Sequence, residues 1–279
     1  MSETAAPSAG ELTAIVMAKL PRPGAVKRRL ATEQGGFTAE SAARIAEAIR
    51  RCIVRRLEAR GHVVVAVSPD DAVAAMRELL GDDRLAFQPQ GAGELGERMD
   101  RLWRQFPERP VAYFGCDSPD IPGDILDRLL IELRAHDAVI GPTDDGGYWT
   151  LAASQYRPAL LHEIDWGTSI VYDQTIARAR NAGLACCELP TWLDVDHPHD
   201  VAALVNRLRT RHDSRTSYPV GTNDGDTAVA HDQSGSSRAT RTVTDSAGVN
   251  GETIRREDEA AFFRLESQLA ELLVADRVE

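Results

Sequence analysis

Apolar residues along this chain alternate between short continuous runs and longer stretches in which they recur every three or four positions. The runs at residues 12–18, 62–68, 85–88, 111–116, 138–141, 148–153 and 184–189 predict strands. The periodic stretches between them predict helices over 39–60, 71–80, 95–106, 123–134, 169–182 and 199–209. Strand and helix alternate throughout, so the expected fold class is α/β: a Rossmann-like, mostly parallel sheet with helices on both faces.

The pattern changes after Arg209. Residues 211–250 are rich in Ser, Thr, Gly and Asp and hold almost no large apolar groups beyond valines and Tyr218, which predicts a flexible linker. Helical spacing returns over 252–274, where Phe262, Leu265, Leu269 and Leu272 line one face. That face has three possible uses: docking back on the core, forming a homodimer, or holding a protein partner. The expected organisation is a disordered tail at 1–10, a catalytic-type domain at 11–209, a linker at 210–250 and an amphipathic helix at 251–279.

With 279 residues, 43% of them hydrophobic, the chain has material for a substantial core. No window approaches 18 uninterrupted apolar residues, and the opening Met1-Ser2-Glu3-Thr4 has no signal-peptide character, so no membrane association and a cytoplasmic location are expected. Cys52, Cys116, Cys186 and Cys187 show no metal-ligand spacing and read as small buried hydrophobes. A net charge of −11 excludes a broad nucleic-acid-binding surface.

Against that acidic background one loop stands out. Of 32 basic residues only Lys19 and Lys27 are lysines, and both lie in the stretch after the first strand, with Arg22, Arg28 and Arg29 beside them. A compact ammonium meets a phosphate as a mobile point charge, which a planar guanidinium does not. Pro21 and Pro23 stiffen the loop and Gly24 permits close backbone approach. Such a loop at the carboxyl end of a strand suits a small phosphorylated ligand; a solvated basic turn is the plain alternative.

Three acidic clusters also follow strands. Asp117-Ser118-Pro119-Asp120 places a carboxylate where a divalent cation would be held by oxygen ligands. The alternative is a turn opened by Asp117 or Ser118, with Asp120 capping the next helix. Asp144-Asp145-Gly146-Gly147 offers acids beside an open backbone, or simply a hairpin turn. Asp194-Val195-Asp196 precedes the last helix of the domain, where Asp196 is either a ligand or an N-cap ahead of Pro198. His197 and His199 lack a third soft partner for zinc. Gln90 and Gly91 open a glycine-rich loop suited to contacting a base or sugar, or a plain helix entry; its spacing matches neither the dinucleotide nor the Walker fingerprint.

In order, K-x-P-x-P-G-x-x-K-x-R-L, P-Q-G-x-G-x-L-G-E-R, G-C-D-S-P-D, G-P-x-D-D-G-G-Y, D-W-G-T-S and D-V-D-x-P-x-D resemble the DUF2064 family over residues 12–205. That family is often labelled an arsenosugar-biosynthesis or radical-SAM/selenodomain-associated glycosyltransferase. The motifs are also similar to those of molybdopterin and phospholactate guanylyltransferases. The resemblance implies a GT-A nucleotide-binding fold in which Lys19, Lys27 and Arg29 contact phosphate, with Gly24, Gln90 and Gly91 in the nucleotide site. It implies that Asp117 binds Mg2+ or Mn2+ and that Asp196 completes the metal site. Asp145, Gly146 and Gly147, with Trp166 and Thr168, would face donor or acceptor. Lys27, Asp117 and Asp145 are the catalytic candidates. Arg28 stands where the family usually has threonine.

The expected activity is metal-dependent transfer from a nucleotide or nucleotide-sugar substrate, foremost glycosyl transfer. Nucleotidyl transfer with release of pyrophosphate uses nearly the same apparatus. A non-catalytic nucleotide-binding scaffold acting through the terminal helix is the alternative from another class, and a dehalogenase-like phosphatase lacks the early D-x-D it would need.

Overall fold

The computed structural model describes residues 12–32, 36–216 and 246–275. Seven strands, β1 (Thr13–Lys19), β2 (His62–Ser68), β3 (Ala86–Pro89), β4 (Val111–Phe114), β5 (Ala138–Pro142), β6 (Tyr148–Ala153) and β7 (Cys186–Glu188), form one sheet in the order β3-β2-β1-β4-β6-β5-β7. β1 pairs in parallel with β2 and β4, β2 with β3, and β5 with β7. β6 alone is antiparallel, to β4 and β5. Six strands therefore share one direction, and the loops after β1, β3, β4, β5 and β7 leave the sheet at the same rim. The chain runs outward from β1 to β3, then returns to continue on the other side with β4. Loops diverge at such a switch point and leave a crevice at the carboxyl ends.

Strand residues alternate between two apolar layers. Ala14, Val16 and Ala18 face one, with α2 (Ala39–Glu58), α5 (Gly123–Glu132) and α7 (Pro198–Thr216); Ile15 faces the other, with α4 (Leu95–Trp103) and α6 (Val171–Asn181). Val63, Val64, Val65 and Val67 are all buried, as a central parallel strand covered on both faces requires. Each such side chain contributes roughly 1.5–3 kcal/mol when fully buried. Thr38 starts α2 by accepting the Ser41 N–H at 3.1 Å, and Gly81, left-handed at φ 60°, ends α3 (Val73–Leu80).

Element positions match the sequence pattern, with ends that differ. The strand expected to reach Cys116 stops at Phe114, so Gly115 to Asp117 already belong to the rim loop. A short α1 (Arg28–Thr32) follows the basic loop, unanticipated because five residues carry too little periodicity to register. Helix also covers parts of the stretch read as linker: α7 runs on to Thr216 and α8 (Ser246–Ala275) begins before Glu252. The rest of that stretch, 217–245, and the tail expected at 1–10 lie outside the described residues. Among the described residues no helix is long and apolar enough to cross a membrane.

The terminal helix packs on its own chain. Ala261, Leu265, Leu269 and Leu272 of α8 are buried in the layer that contains α2, so of the three uses open to this face the structure shows docking on the chain's own core. The physical reason lies in α2, whose outer side carries the buried guanidinium of Arg56. Arg56 donates to Asp258 of α8 at 2.9 Å, to the Pro119 carbonyl at 2.8 Å and to the Ile121 carbonyl. Arg60 meets the same carboxylate at 2.7 Å. Burial raises and the two arginines lower the Asp258 pKa, and the net is a carboxyl held below its usual range. A hydrogen-bonded ion cluster of this kind must stay complete to be tolerated in the interior.

Candidate functional site

The basic loop leaves β1 at Lys19 and folds back on itself through Arg22 N–H to Leu20 O (2.9 Å) and Ala25 N–H to Arg22 O (3.0 Å), with Gly24 left-handed at φ 72°. Val26 then packs on Ala43 and Ala46 of α2. That anchor turns the next residue inward, and Lys27 itself takes a left-handed backbone, φ 45°. Its side chain is only 7% exposed.

The Lys27 ammonium ends among oxygens from two other rim loops. It donates to Asp117 Oδ1, to the Val195 carbonyl at 2.6 Å and to Asp196 Oδ1 at 3.1 Å. Arg29 donates to the second oxygen of Asp196 at 3.1 Å. The two loops are tied directly as well, Val195 N–H to Asp117 O at 2.9 Å. Burial alone would lower the Lys27 pKa, but Asp117 and Asp196 outweigh it and hold the amine charged, above its ordinary range. Side-chain exposures of 47% and 35% leave Asp117 and Asp196 partly open to solvent.

Asp196 turns its two carboxylate oxygens to Lys27 and Arg29, while Asp200, in the first turn of α7, reaches back to accept the N–H groups of Asp196 (3.0 Å) and His197 (2.7 Å). Asp120, the other carboxylate of the 117–120 stretch, neither caps α5 nor reaches the site. It is fully buried and accepts from Arg207 Nε at 2.7 Å and Trp192 Nε1 at 3.0 Å, fastening α7 and the 189–196 loop.

A third carboxylate, Asp194, was not singled out by residue type. Ser118 donates to it across the same two loops. Burial, with the nearby negative charges of Asp117 and Asp145, pushes it up to about 7. A second unanticipated group is Arg50 of α2, 2% exposed, whose Nε and Nη1 have no hydrogen-bond partner among the described residues and whose charge acts on Cys116 beside Asp117. Nothing in sequence marks it, since it is one of several arginines in a helix that is otherwise amphipathic.

The β5–β6 turn is both a hairpin and a site wall. Asp145 accepts from Thr143 Oγ1 at 2.6 Å and Gly147 N–H at 3.0 Å, so its carboxylate shapes the turn while remaining exposed. Gly146 is left-handed at φ 86°, and a Cβ there would stand 1.9 Å from the Ser169 carbonyl. Its own carbonyl accepts the Tyr172 N–H at 2.9 Å. The hairpin is thereby locked to the loop that carries Trp166 and Thr168. Thr168 is exposed and steadies its turn through the Asp165 carbonyl at 2.7 Å. Trp166 packs edge-on against Tyr148 and covers Gly96, and it lines a cleft of about 720 Å³ with Arg101 and His162.

Lys19, Gln90 and Gly91 do not join the cluster around Lys27. Lys19 is exposed at the end of β1. The Gln90 amide is buried and donates to the carbonyls of Ala66 (2.9 Å) and Ala18 (3.4 Å), clamping β2 to β1. The Gly91 N–H is taken by Asp70 at 2.9 Å. These two shape the loop, whose exposed part is Ala92, Gly93 and Glu94.

Among the described residues one mixed set of metal-type donors lies outside the rim, Glu132, His136 and Cys187, with Glu132 already held by Arg128 at 3.1 Å. A groove of about 890 Å³ between α5, α7 and α8, lined by Arg60, Asp258 and Phe262, includes none of the rim residues.

Comparison with known proteins agrees with the motifs. Residues 53–168 match the family DUF2064, described as an uncharacterized protein conserved in bacteria. That span takes in the Gln90 loop, Asp117, the 143–147 turn and Trp166; the basic loop and the 194–200 stretch fall outside it. No curated protein matches the chain. Among solved structures, a candidate nucleotide-diphospho-sugar transferase of Desulfovibrio desulfuricans G20 is 25% identical, with a TM-score of 0.65 over 92% of this chain and 98% of its own. A 4-diphosphocytidyl-2C-methyl-D-erythritol synthase of Anaerococcus prevotii is 12% identical, with a TM-score of 0.48 over 72% of this chain and 97% of its own. A cytidylyltransferase of Leptospira borgpetersenii is 11% identical, with a TM-score of 0.45 over 76% and 100%.

Proposed function

We propose that this protein transfers a glycosyl group from a nucleotide-diphospho-sugar at the carboxyl rim of its sheet, with Mg2+ or Mn2+ as cofactor. The observation that carries the reading is the meeting of one buried lysine, two carboxylates and a backbone carbonyl contributed by three separate loops. A diphosphate is the kind of ligand that engages such a set, because phosphate needs cations and carboxylates alone repel it. The 25% identity and near-complete overlap with the Desulfovibrio protein support the same donor class.

The donor set fits a hard divalent cation: Asp117 and Asp196 offer carboxylate oxygens, the Val195 carbonyl a third, and a lysine ammonium already stands among them as a cationic stand-in. When bound, the cation supplies positive charge against the diphosphate leaving group. Arg29 and Lys27 share that charge as it develops, and Lys19 extends the positive field outward from β1. Asp145, exposed on the β5–β6 turn, is placed to orient an acceptor hydroxyl. Trp166 and Thr168 border the sugar side.

Incubation with a panel of nucleotide sugars and Mg2+ tests the reading, with release of nucleoside diphosphate as the expected product. Pyrophosphate release from a nucleoside triphosphate would assign nucleotidyl transfer instead. Asp117→Asn is expected to lower turnover at least about a hundredfold, the scale of losing one electrostatic contact to the leaving group. Turnover within a factor of two of wild type would remove Asp117 from the mechanism.

A further inference from the structure

The Lys27 ammonium has three N–H donors, and in this structure it has three acceptors: Asp117 Oδ1, Asp196 Oδ1 and the Val195 carbonyl. While it sits there it has no donor left for a phosphate. The same three oxygens are those that would hold the divalent cation of the proposed function. A side chain 7% exposed and a cation in one oxygen cage exclude each other by volume and by charge.

We propose that Lys27 and the divalent cation occupy this seat in turn, so that cation entry expels the ammonium and delivers it to the donor phosphates. The inference rests on the cation site of the proposed function and adds its order and coupling. Lysine suits the exchange where arginine would not, since its compact head rides on a flexible four-carbon stem. A way out exists, because the carboxylates that hold the ammonium, Asp117 and Asp196, are themselves 47% and 35% exposed. Arg29 stays on the outer oxygen of Asp196 and steadies that carboxylate during the exchange. The nucleotide-free protein then binds cation weakly, its seat being filled, and cation and phosphate strengthen each other's binding because a released ammonium gains a new partner.

Mn2+ binding to the nucleotide-free protein, followed by titration calorimetry, tests this with wild type, Lys27→Met and Asp117→Asn. Removing the occupant is expected to tighten Mn2+ binding roughly tenfold in Lys27→Met, within the usual range of site-to-site coupling. Added pyrophosphate is expected to tighten Mn2+ binding to wild type by more than it does for Lys27→Met. Equal or weaker Mn2+ binding by Lys27→Met, with Asp117→Asn abolishing it, would overturn the exchange and leave the cation site standing. Absence of Mn2+ binding in all three proteins, with or without pyrophosphate, would overturn both.

A measurement on wild type alone guards against a misfolded variant. The chain has only two lysines, and Lys19 is exposed, so it serves as internal standard for amine labelling by reductive methylation. The ratio of Lys27 to Lys19 labelling is expected to rise severalfold when Mn2+ is added. A ratio that stays constant or falls while Mn2+ binds would refute the exchange.

Discussion

At the scale of single residues, the charge state of Asp194 is the property most open to measurement. Its folded pKa of about 7 stands above the value near 3.8 of the unfolded chain, chiefly through burial. The folded state therefore holds a proton that the unfolded state gives up between those two values, so stability falls as pH rises through that window and is lowest above pH 7. Asparagine keeps the acceptor for Ser118 without the charge. Asp194→Asn is expected to stabilise the fold at pH 8 by on the order of 2 kcal/mol, which is roughly 4–8 °C in Tm, and to bring no gain near pH 4. A Tm difference that is the same at both pH values would contradict the assignment. Gly146 makes a steric prediction of the opposite sign. A methyl group there meets the Ser169 carbonyl, and the left-handed backbone strains any substituent, so Gly146→Ala should cost about 2 kcal/mol or more in urea unfolding. Asp117 and Asp145 were legible in the sequence because each follows a strand at a shared rim. Spacing alone leaves Asp196 between cap and ligand, because its partners Lys27 and Arg29 come from a loop well over a hundred residues earlier. Asp194 stands in the third acidic cluster, but its raised pKa, like the seclusion of Arg50, comes from burial, which no residue type announces.

At the scale of elements, periodicity revealed which segments form helices and strands, but not what their faces meet. The α8 stripe of Leu265, Leu269 and Leu272 is the same whether it seeks another molecule or its own core. What resolves it is Asp258, an acid beside that stripe which finds Arg56 of α2 and Arg60 just beyond its end, about two hundred residues earlier. The same arginine holds the carbonyls of Pro119 and Ile121, in the loop that begins with Asp117. α8 thus reaches the site through one side chain. Asp258→Ala leaves the buried Arg56 guanidinium with carbonyl partners alone and Arg60 with Asp127 as its remaining carboxylate, and is expected to destabilise by about 3–5 kcal/mol. It should also raise hydrogen exchange in the 117–121 loop before global unfolding. Unchanged protection there, with the expected loss of global stability, would separate the ion cluster from the site. The β5–β6 hairpin shows the same limit from the other side: Asp-Gly predicted the turn, yet its locking to the 165–172 loop through Gly146 and Tyr172 is long-range and has no signature in spacing.

At the scale of the whole molecule, the chain behaves as a site-bearing sheet whose outer helix is supplied by its own distant C-terminal segment. The sequence pattern sets residues 210–279 apart from the domain at 11–209, and for an enzymatic core it leads one to expect that their removal spares nucleotide and cation binding. The packing of α8 on α2 argues for the opposite outcome. Without α8, the apolar side of α2 that receives Leu265, Leu269 and Leu272 is open to water, and Arg56 keeps only its backbone partners in the 117–121 loop. Burying three leucines contributes roughly 5–9 kcal/mol, comparable to the whole net stability of an ordinary domain. A chain ending at residue 245 is therefore expected to lose its cooperative thermal transition near that of the full protein and to bind Mn2+ and pyrophosphate weakly. A synthetic peptide of residues 246–279 added in trans should restore both, because the contacts that α8 makes with α2 are noncovalent. Restoration should fail with a peptide carrying Asp258→Ala and Leu269→Asp, since that peptide lacks the ion-cluster carboxylate and buries a charge in place of a fully enclosed leucine. A truncated protein that melts and binds as the full chain does would show that α8 does not dock on α2 in solution, and the link from Asp258 through Arg56 to the Asp117 loop would fall with it.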